Sequence, residues 1–218
     1  MVNNETGAVT DIAAISLALK KAGSQALLHT DAVQAFMKIP FSPKSLGADM
    51  ISISGHKLHA PKGIGALYIS DKIKLKPYIH GGAQENGRRA GTEAMPQIAA
   101  FGEACSVAKQ GFKANSEHIA ALRAMAVEKL SAKIPELVLI PGGASHILSI
   151  SMPGWRSEVL MNYLEAKNVY VSKSSACKKG GRSHVLEAMG LDAKVIDGAI
   201  RIGFCRYNTD EDIEALVE

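Results

Sequence analysis

The residues of this sequence best suited to chemistry stand at the ends of short apolar runs. Ala26-Leu27-Leu28-His29-Thr30 leads into Asp31-Ala32-Val33-Gln34, and Met50-Ile51-Ser52-Ile53-Ser54 leads into Gly55-His56-Lys57. A buried strand needs no polar groups at its end, whereas ligands of open α/β sheets sit beyond the carboxyl ends of the strands. Asp31 and Gln34 are therefore expected at the same rim as Ser54, His56 and Lys57. A lysine and a carboxylate at such a rim suit pyridoxal phosphate (PLP). The lysine forms a Schiff base with the cofactor, and the carboxylate faces the pyridinium nitrogen and keeps the ring an electron sink. Ser54 and His56 are suitable phosphate donors. Spacing alone also allows a plainer reading: an Asp at a strand end commonly caps a helix or closes a turn, and a single Lys is commonly solvated.

The three cysteines, Cys105, Cys177 and Cys205, have no paired spacing. That argues against a disulfide framework and fits a reducing compartment. A free cysteine is commonly a small buried hydrophobe, which suits Cys105 on an apolar helix and Cys205 beside a strand. Cys177 fits that description poorly, because its flanks, Lys173 to Gly181, are polar, basic and glycine-containing. His29 precedes Asp31 by two positions and so shares its side of a strand. His59, His118, His146 and His184 are expected to be structural or exposed, and His80 is more often structural than catalytic. None has metal-ligand spacing with the cysteines, so no metal site is expected. Trp155 reads as a packing or turn residue.

The elements that must hold these residues follow from periodicity. Apolar positions at Ile12, Ile15 and Leu19 predict a helix over 12–21, with Gly23 at its C-cap. Gly65 to Ile69 forms a third apolar run. Short apolar strands among helices predict a sheet buried on both faces, as in α/β domains. Residues 95–134 read as helical, with breaks at Gln110-Gly111 and Asn115-Ser116. A domain boundary is expected there, giving domains 1–111 and 112–218. The second is predicted to be α+β, with strands at 137–140, 146–152, 169–171 and 199–204. Helices are predicted at 157–167 and 183–189, and a capping box at Thr209–Asp212 opens a last helix. Ile147, Ser149 and Ser151 mark an alternating strand.

Bulk composition narrows the function. The chain has 218 residues, 47% hydrophobic and 21% charged, with net charge +4 spread along its length. That is a folded protein with ample core and no nucleic-acid footprint. No apolar run is long enough for a membrane span, and Met1 to Gly7 does not read as a signal peptide.

Several motifs occur in order: Asn3-Asn4-Glu5-Thr6-Gly7, His29 to Gln34, Ser54-Gly55-His56-Lys57 with Pro61-Lys62-Gly63, and Gly81 to Glu85 with Arg88 to Thr92. Ser174-Ser175-Ala176-Cys177, Arg201-Ile202-Gly203 and Tyr207-Asn208-Thr209 follow. Together they resemble the cysteine desulfurase family within the class V aminotransferases, over essentially the whole chain. The resemblance implies a PLP fold-type-I large domain followed by a smaller domain. By resemblance, Lys57 carries PLP and moves protons, Asp31 faces the pyridinium nitrogen, and Gln34 bonds the ring hydroxyl. Ser54 and His56 hold the phosphate, and Thr92 reaches the phosphate of a neighbouring subunit. Asn4 lies beside cofactor and substrate, and Arg201 clamps the substrate carboxylate. Cys177 is the implied nucleophile: its thiolate takes sulfur from L-cysteine as a persulfide, leaving alanine. Nearby lysines favour that thiolate. The Ser-Ala-Cys wording resembles the branch serving iron–sulfur cluster assembly, with a scaffold protein as sulfur acceptor. A cytoplasmic homodimer is implied.

Other readings are a selenocysteine lyase or another class V lyase, or a truncated, inactive module that only binds a partner. The family carries a long portion before its Asn-Asn-Glu motif, with the first sheet strands, a phosphate loop and a ring-stacking histidine. This sequence is thus expected to be a C-terminal part or one half of a split enzyme. Alone it is expected to bind PLP weakly or not at all, with the region after residue 112 better folded. Lys173 replaces a usual glycine, His59-Ala60 an aromatic-glycine pair, and Ala94 a common asparagine.

Overall fold

A computed structural model describes residues 1–173 and 181–218. The chain divides into two compact units, one of Met1 with Thr10–Phe112 and one of Val2–Val9 with Lys113–Glu218.

In the first unit, helix α1 spans Ile12–Lys21. It starts because the Asp11 carboxylate accepts the Ala14 N–H at 2.9 Å, and it ends where Gly23 takes a left-handed φ of 64°. Strands β1 (His29–Asp31), β2 (Met50–Ser54) and β3 (Gly65–Ile69) form one sheet in that order. β1 and β2 are parallel, and β3 is antiparallel to β2. Between β1 and β2 lies the short helix α2 (Pro43–Leu46), started by a Ser42–Ser45 capping box. Helix α3 (Met95–Gln110) packs Phe101 and Ala108 against Leu58, with Ile53 and Ile64 beside them.

The expectation of a sheet buried on both faces is corrected here. Leu67 and Tyr68 of β3 are 43% and 42% exposed, and β2 fully buries only Ile51. A continuous apolar run reads the same whether two layers cover it or one, so the sequence could not set the degree of cover.

The second unit holds α4 (Phe112–Lys133), β4 (Val138–Ile140), β5 (Ile147–Ser151), α5 (Ser157–Ala166), β6 (Ser172–Lys173), α6 (His184–Ala188), α7 (Ala193–Asp197), β7 (Ala199–Gly203) and α8 (Asp210–Val217). Its sheet runs β4-β5-β7-β6, antiparallel throughout. Leu122, Ala126 and Leu130 recur every four residues on α4 and so share one helix face. They pack with Leu148, Ile150, Leu160, Ile200, Ile202, Phe204, Ile213 and Leu216. The opposite side carries Ile140, Leu186, Ile196 and Ala199. All five residues of β5 are buried, although the Ile-Ser-Ser alternation resembles a half-exposed strand. α7, which the sequence did not announce, covers this side: Ser151 Oγ donates to the Val195 carbonyl at 2.6 Å.

Two further expectations change. The helical stretch breaks at Gly111, while Asn115 and Ser116 continue α4. Strand pairing falls on Ser172 and Lys173 rather than on 169–171, because Val169 and Val171 turn to the apolar core. Residues Val2–Val9 dock in this unit through Gly7, whose carbonyl accepts the Gly143 and Ala144 N–H groups at 2.9 and 2.8 Å.

Candidate functional site

The parallel pairing of β1 and β2 sets the first part of the site. Asp31 lies opposite Ser52, so the carboxyl ends of both strands open on one rim, and the polar ends predicted there are brought together. Along β1, Thr30 is buried while His29 and Asp31 are exposed. His29 Nε2 and Ser52 Oγ are hydrogen-bonded at 2.8 Å. Asp31 Oδ1 accepts the Val33 N–H at 2.8 Å, which fixes the carboxylate at the strand end and starts the turn to Gln34. Gln34 itself is buried.

β2 passes without a break into a 3-10 turn over Gly55–Leu58. Ser54 Oγ and His56 Nδ1 are 2.7 Å apart, a hydrogen bond that orients both groups at the rim. Gly55 is required, since a Cβ there would lie 2.9 Å from Ile64 and 3.2 Å from Phe101. Leu58 is buried and anchors the turn, so Lys57 is half-buried on a backbone held from both sides. Thr92 is exposed in the stretch before α3. In the loop leading to it, Gly91 N donates to Gln84 Oε1 at 3.2 Å.

The second unit carries Arg201 on β7 and Asn4 on the docked segment. Arg201 Nη1 donates to the Asn4 carbonyl at 2.9 Å. Burial presses the Arg201 pKa down and the Glu5 carboxylate opposes it, yet a guanidinium stays charged at any working pH. The Ser183 hydroxyl donates to the Glu5 carboxylate in a very short hydrogen bond. Cys177 lies outside the described residues. On its two sides, Lys173 is ion-paired with Glu158, and Arg182 grips Asp197 with two bonds of 2.7 and 2.9 Å.

Several of these groups escaped the sequence reading. Ser52 was findable, since it shares the face of Ser54 two residues away. Glu5 and Ser183 are 178 residues apart, and no local signal joins them. His118 bonds the Asn208 carbonyl at 2.9 Å; Trp155, 51% exposed, is the turn residue the sequence allowed, its N–H donating to the Met152 carbonyl at 3.1 Å. No helix among the described residues is long and apolar enough to cross a membrane.

A mixed α/β chain with polar strand ends on one rim is the frame of a cofactor-dependent enzyme family. The model of the class-V aminotransferases matches residues 1–216, and the chain belongs to that family. It is 40% identical to cysteine desulfurase 2 of Trichormus variabilis, covering 99% of this chain and 55% of that protein. The structure of a NifS-like protein from Rickettsia africae superposes with a TM-score of 0.90 at 34% identity, over 100% of this chain and 58% of that one. A structure of SspA in complex with cysteine does so with a TM-score of 0.76 at 32% identity, over 95% and 58%. The chain thus spans about 55% of the length of the curated relatives it matches.

Proposed function

We propose that this chain supplies the lysine, the carboxylate and the acceptor thiol of a PLP-dependent cysteine desulfurase. The observation that carries this is the shared rim, with Asp31 ending β1 and Ser54, His56 and Lys57 continuing β2. The residues present fit PLP: a carboxylate fixed by Val33 N–H, a hydrogen-bonded hydroxyl–imidazole pair and a lysine on an anchored turn. Asp31 would face the pyridinium nitrogen, Gln34 the ring hydroxyl, and Ser54 and His56 the phosphate, with Thr92 reaching a partner copy's phosphate in a homodimer. When bound, PLP supplies an electron sink that labilises bonds to the substrate α and β carbons.

The chain's own residues do the rest. Arg201 binds the substrate carboxylate with its planar fork beside Asn4. Lys57 takes and returns protons at the substrate carbons through Nζ. The Cys177 thiolate attacks the cysteine sulfur; the carbon–sulfur bond breaks, its electron pair stays with the carbon, and a proton completes alanine. Cys177 is left as a persulfide for a sulfur acceptor, an iron–sulfur scaffold in the branch its Ser-Ala-Cys wording resembles. The bound cysteine of the SspA structure supports L-cysteine as substrate. Three cysteines without paired spacing support a reducing, cytoplasmic setting.

The test compares the native assembly with its Lys57→Ala variant. Alanine release from L-cysteine and the long-wavelength absorbance of lysine-bound cofactor are both expected to vanish. Release that survives the change overturns the proposal.

A further inference from the structure

We propose that Ser183 is a positioning residue for substrate binding: its hydroxyl holds the Glu5 carboxylate off Arg201 and so leaves the guanidinium fork open to a carboxylate from solution. This rests on the reading of Arg201 as the clamp for the substrate carboxylate.

An acid beside an arginine ordinarily closes on it, because charge-assisted pairs are the strong ones. Here the two groups are kept near each other but apart. The Asn4 carbonyl accepts from Arg201 Nη1 at 2.9 Å, so the next residue, Glu5, starts its side chain beside the guanidinium. Its backbone is held in place, since Asn3 Oδ1 accepts the Glu5 and Thr6 N–H groups at 2.9 and 3.0 Å. The carboxylate is close enough for Arg201 to feel its charge against the effect of burial. Yet the bond to Asn4 is the one hydrogen bond Arg201 makes among the described residues, and the ion pairs among them do not join it to Glu5. Its cross-strand neighbours, Ser149 and Ser172, carry no charge to compete for the fork.

The Glu5 carboxylate is taken by Ser183 instead, 178 residues away. Ser183 is 3% exposed and caps α6, its Oγ accepting the Leu186 N–H at 3.2 Å. A hydroxyl has a single hydrogen to give, and this one goes to Glu5. The cap aims the donor, and the donor parks the acid. Without the hydroxyl, the half-buried carboxylate loses its donor, and Arg201 is the cation within its electrostatic reach. A substrate must then displace Glu5 before it binds. That raises KM by the strength of the internal pair and leaves kcat alone, since the bound complex is unchanged.

The test uses Ser183→Ala, Ser183→Gly and each combined with Glu5→Gln. In the native assembly, both Ser183 variants are expected to raise the KM for L-cysteine about five- to tenfold, with kcat within about twofold. Adding Glu5→Gln removes the competing charge and brings KM back toward wild type. Cysteamine, which keeps the amine and thiol of cysteine but has no carboxylate, is expected to inhibit all the proteins equally. A Ser183 role in folding alone would weaken cysteamine and L-cysteine together and would not be relieved by Glu5→Gln; either result overturns the proposal. A second readout needs no cofactor: modification of Arg201 by phenylglyoxal, followed by mass spectrometry. Pairing shields the guanidinium, so the Ser183 variants are expected to react about fivefold more slowly, and Glu5→Gln restores the rate. Equal or faster reaction in the Ser183 variants overturns the proposal. No turnover of L-cysteine by wild type overturns the desulfurase reading instead, and phenylglyoxal still decides whether Ser183 holds Glu5 off Arg201. Ser183→Gly guards against misfolding in Ser183→Ala, since glycine costs a helix cap little.

Discussion

Gly142→Ala is expected to detach the segment that presents Asn4 to Arg201. A Cβ at Gly142 would lie 2.0 Å from the Thr6 carbonyl oxygen and 3.2 Å from its carbon. Both are backbone atoms of a buried residue, so no side chain can swing away. Relief needs a shift of over about 1 Å, because ordinary contact begins near 3.4 Å. Such a shift breaks the bonds from Gly143 N and Ala144 N to the Gly7 carbonyl, 2.9 and 2.8 Å long. Each is worth about 0.5–1.5 kcal/mol net. With the loosened packing of buried Thr6 added, the loss is about 2–4 kcal/mol. For a domain of this size that lowers Tm by roughly 10 °C or more. Urea unfolding followed by circular dichroism measures it, and Gly203→Ala is the control, since nothing lies within 4 Å of a Cβ there. The control should stay within about 1 kcal/mol of wild type. Limited proteolysis should then cut Gly142→Ala within residues 2–9 first. A Tm within about 2 °C of the control would refute the close approach of these two backbones.

Other expectations follow from single contacts. Leu148→Ala, at a position 1% exposed in the core, should cost about 2–5 kcal/mol in urea unfolding. Gly102→Ala inside α3, where a Cβ meets open space, should stabilise by about 0.5–1 kcal/mol; any destabilisation counts against that helix. Arg201→Lys keeps the charge but loses the fork, and the KM for L-cysteine in the native assembly should rise about tenfold or more. Hydrogen bonds from Asn208 and Thr209 hold the Asp212 pKa down. Asp212 therefore contributes stability above its unfolded pKa, which is lost as pH falls through the lower folded value. Asp212→Asn should flatten the acid limb of a stability–pH curve, and an unchanged limb would exclude the capping box as its source.

The sequence read most clearly where a local rule governs. Gly23 closed α1, Gly111 broke the long helix, and the Thr209–Asp212 box started α8, because caps and breakers act within one turn. The rim of Asp31, Ser54, His56 and Lys57 was legible for a related reason: strand ends announce themselves where apolar runs turn polar. Legibility failed where a second element decides. Ser149 and Ser151 looked like the wet face of β5, yet both are buried; α7 covers that side, and Ser151 is at home there because its hydroxyl donates to the Val195 carbonyl. In β3 the error ran the other way, as an apolar run stayed exposed.

By itself, then, the sequence determined which reactive residue types stand at the strand ends and in the motifs, since residue type at a position is fixed by the chain. Only the tertiary structure decided which distant groups meet: Asn4 under Arg201, Glu5 against Ser183, Glu158 against Lys173 and Asp197 against Arg182. Those partners stand up to 197 residues apart. Side-chain hydrogen bonds reach only about 3 Å, so folding alone brings such pairs within range.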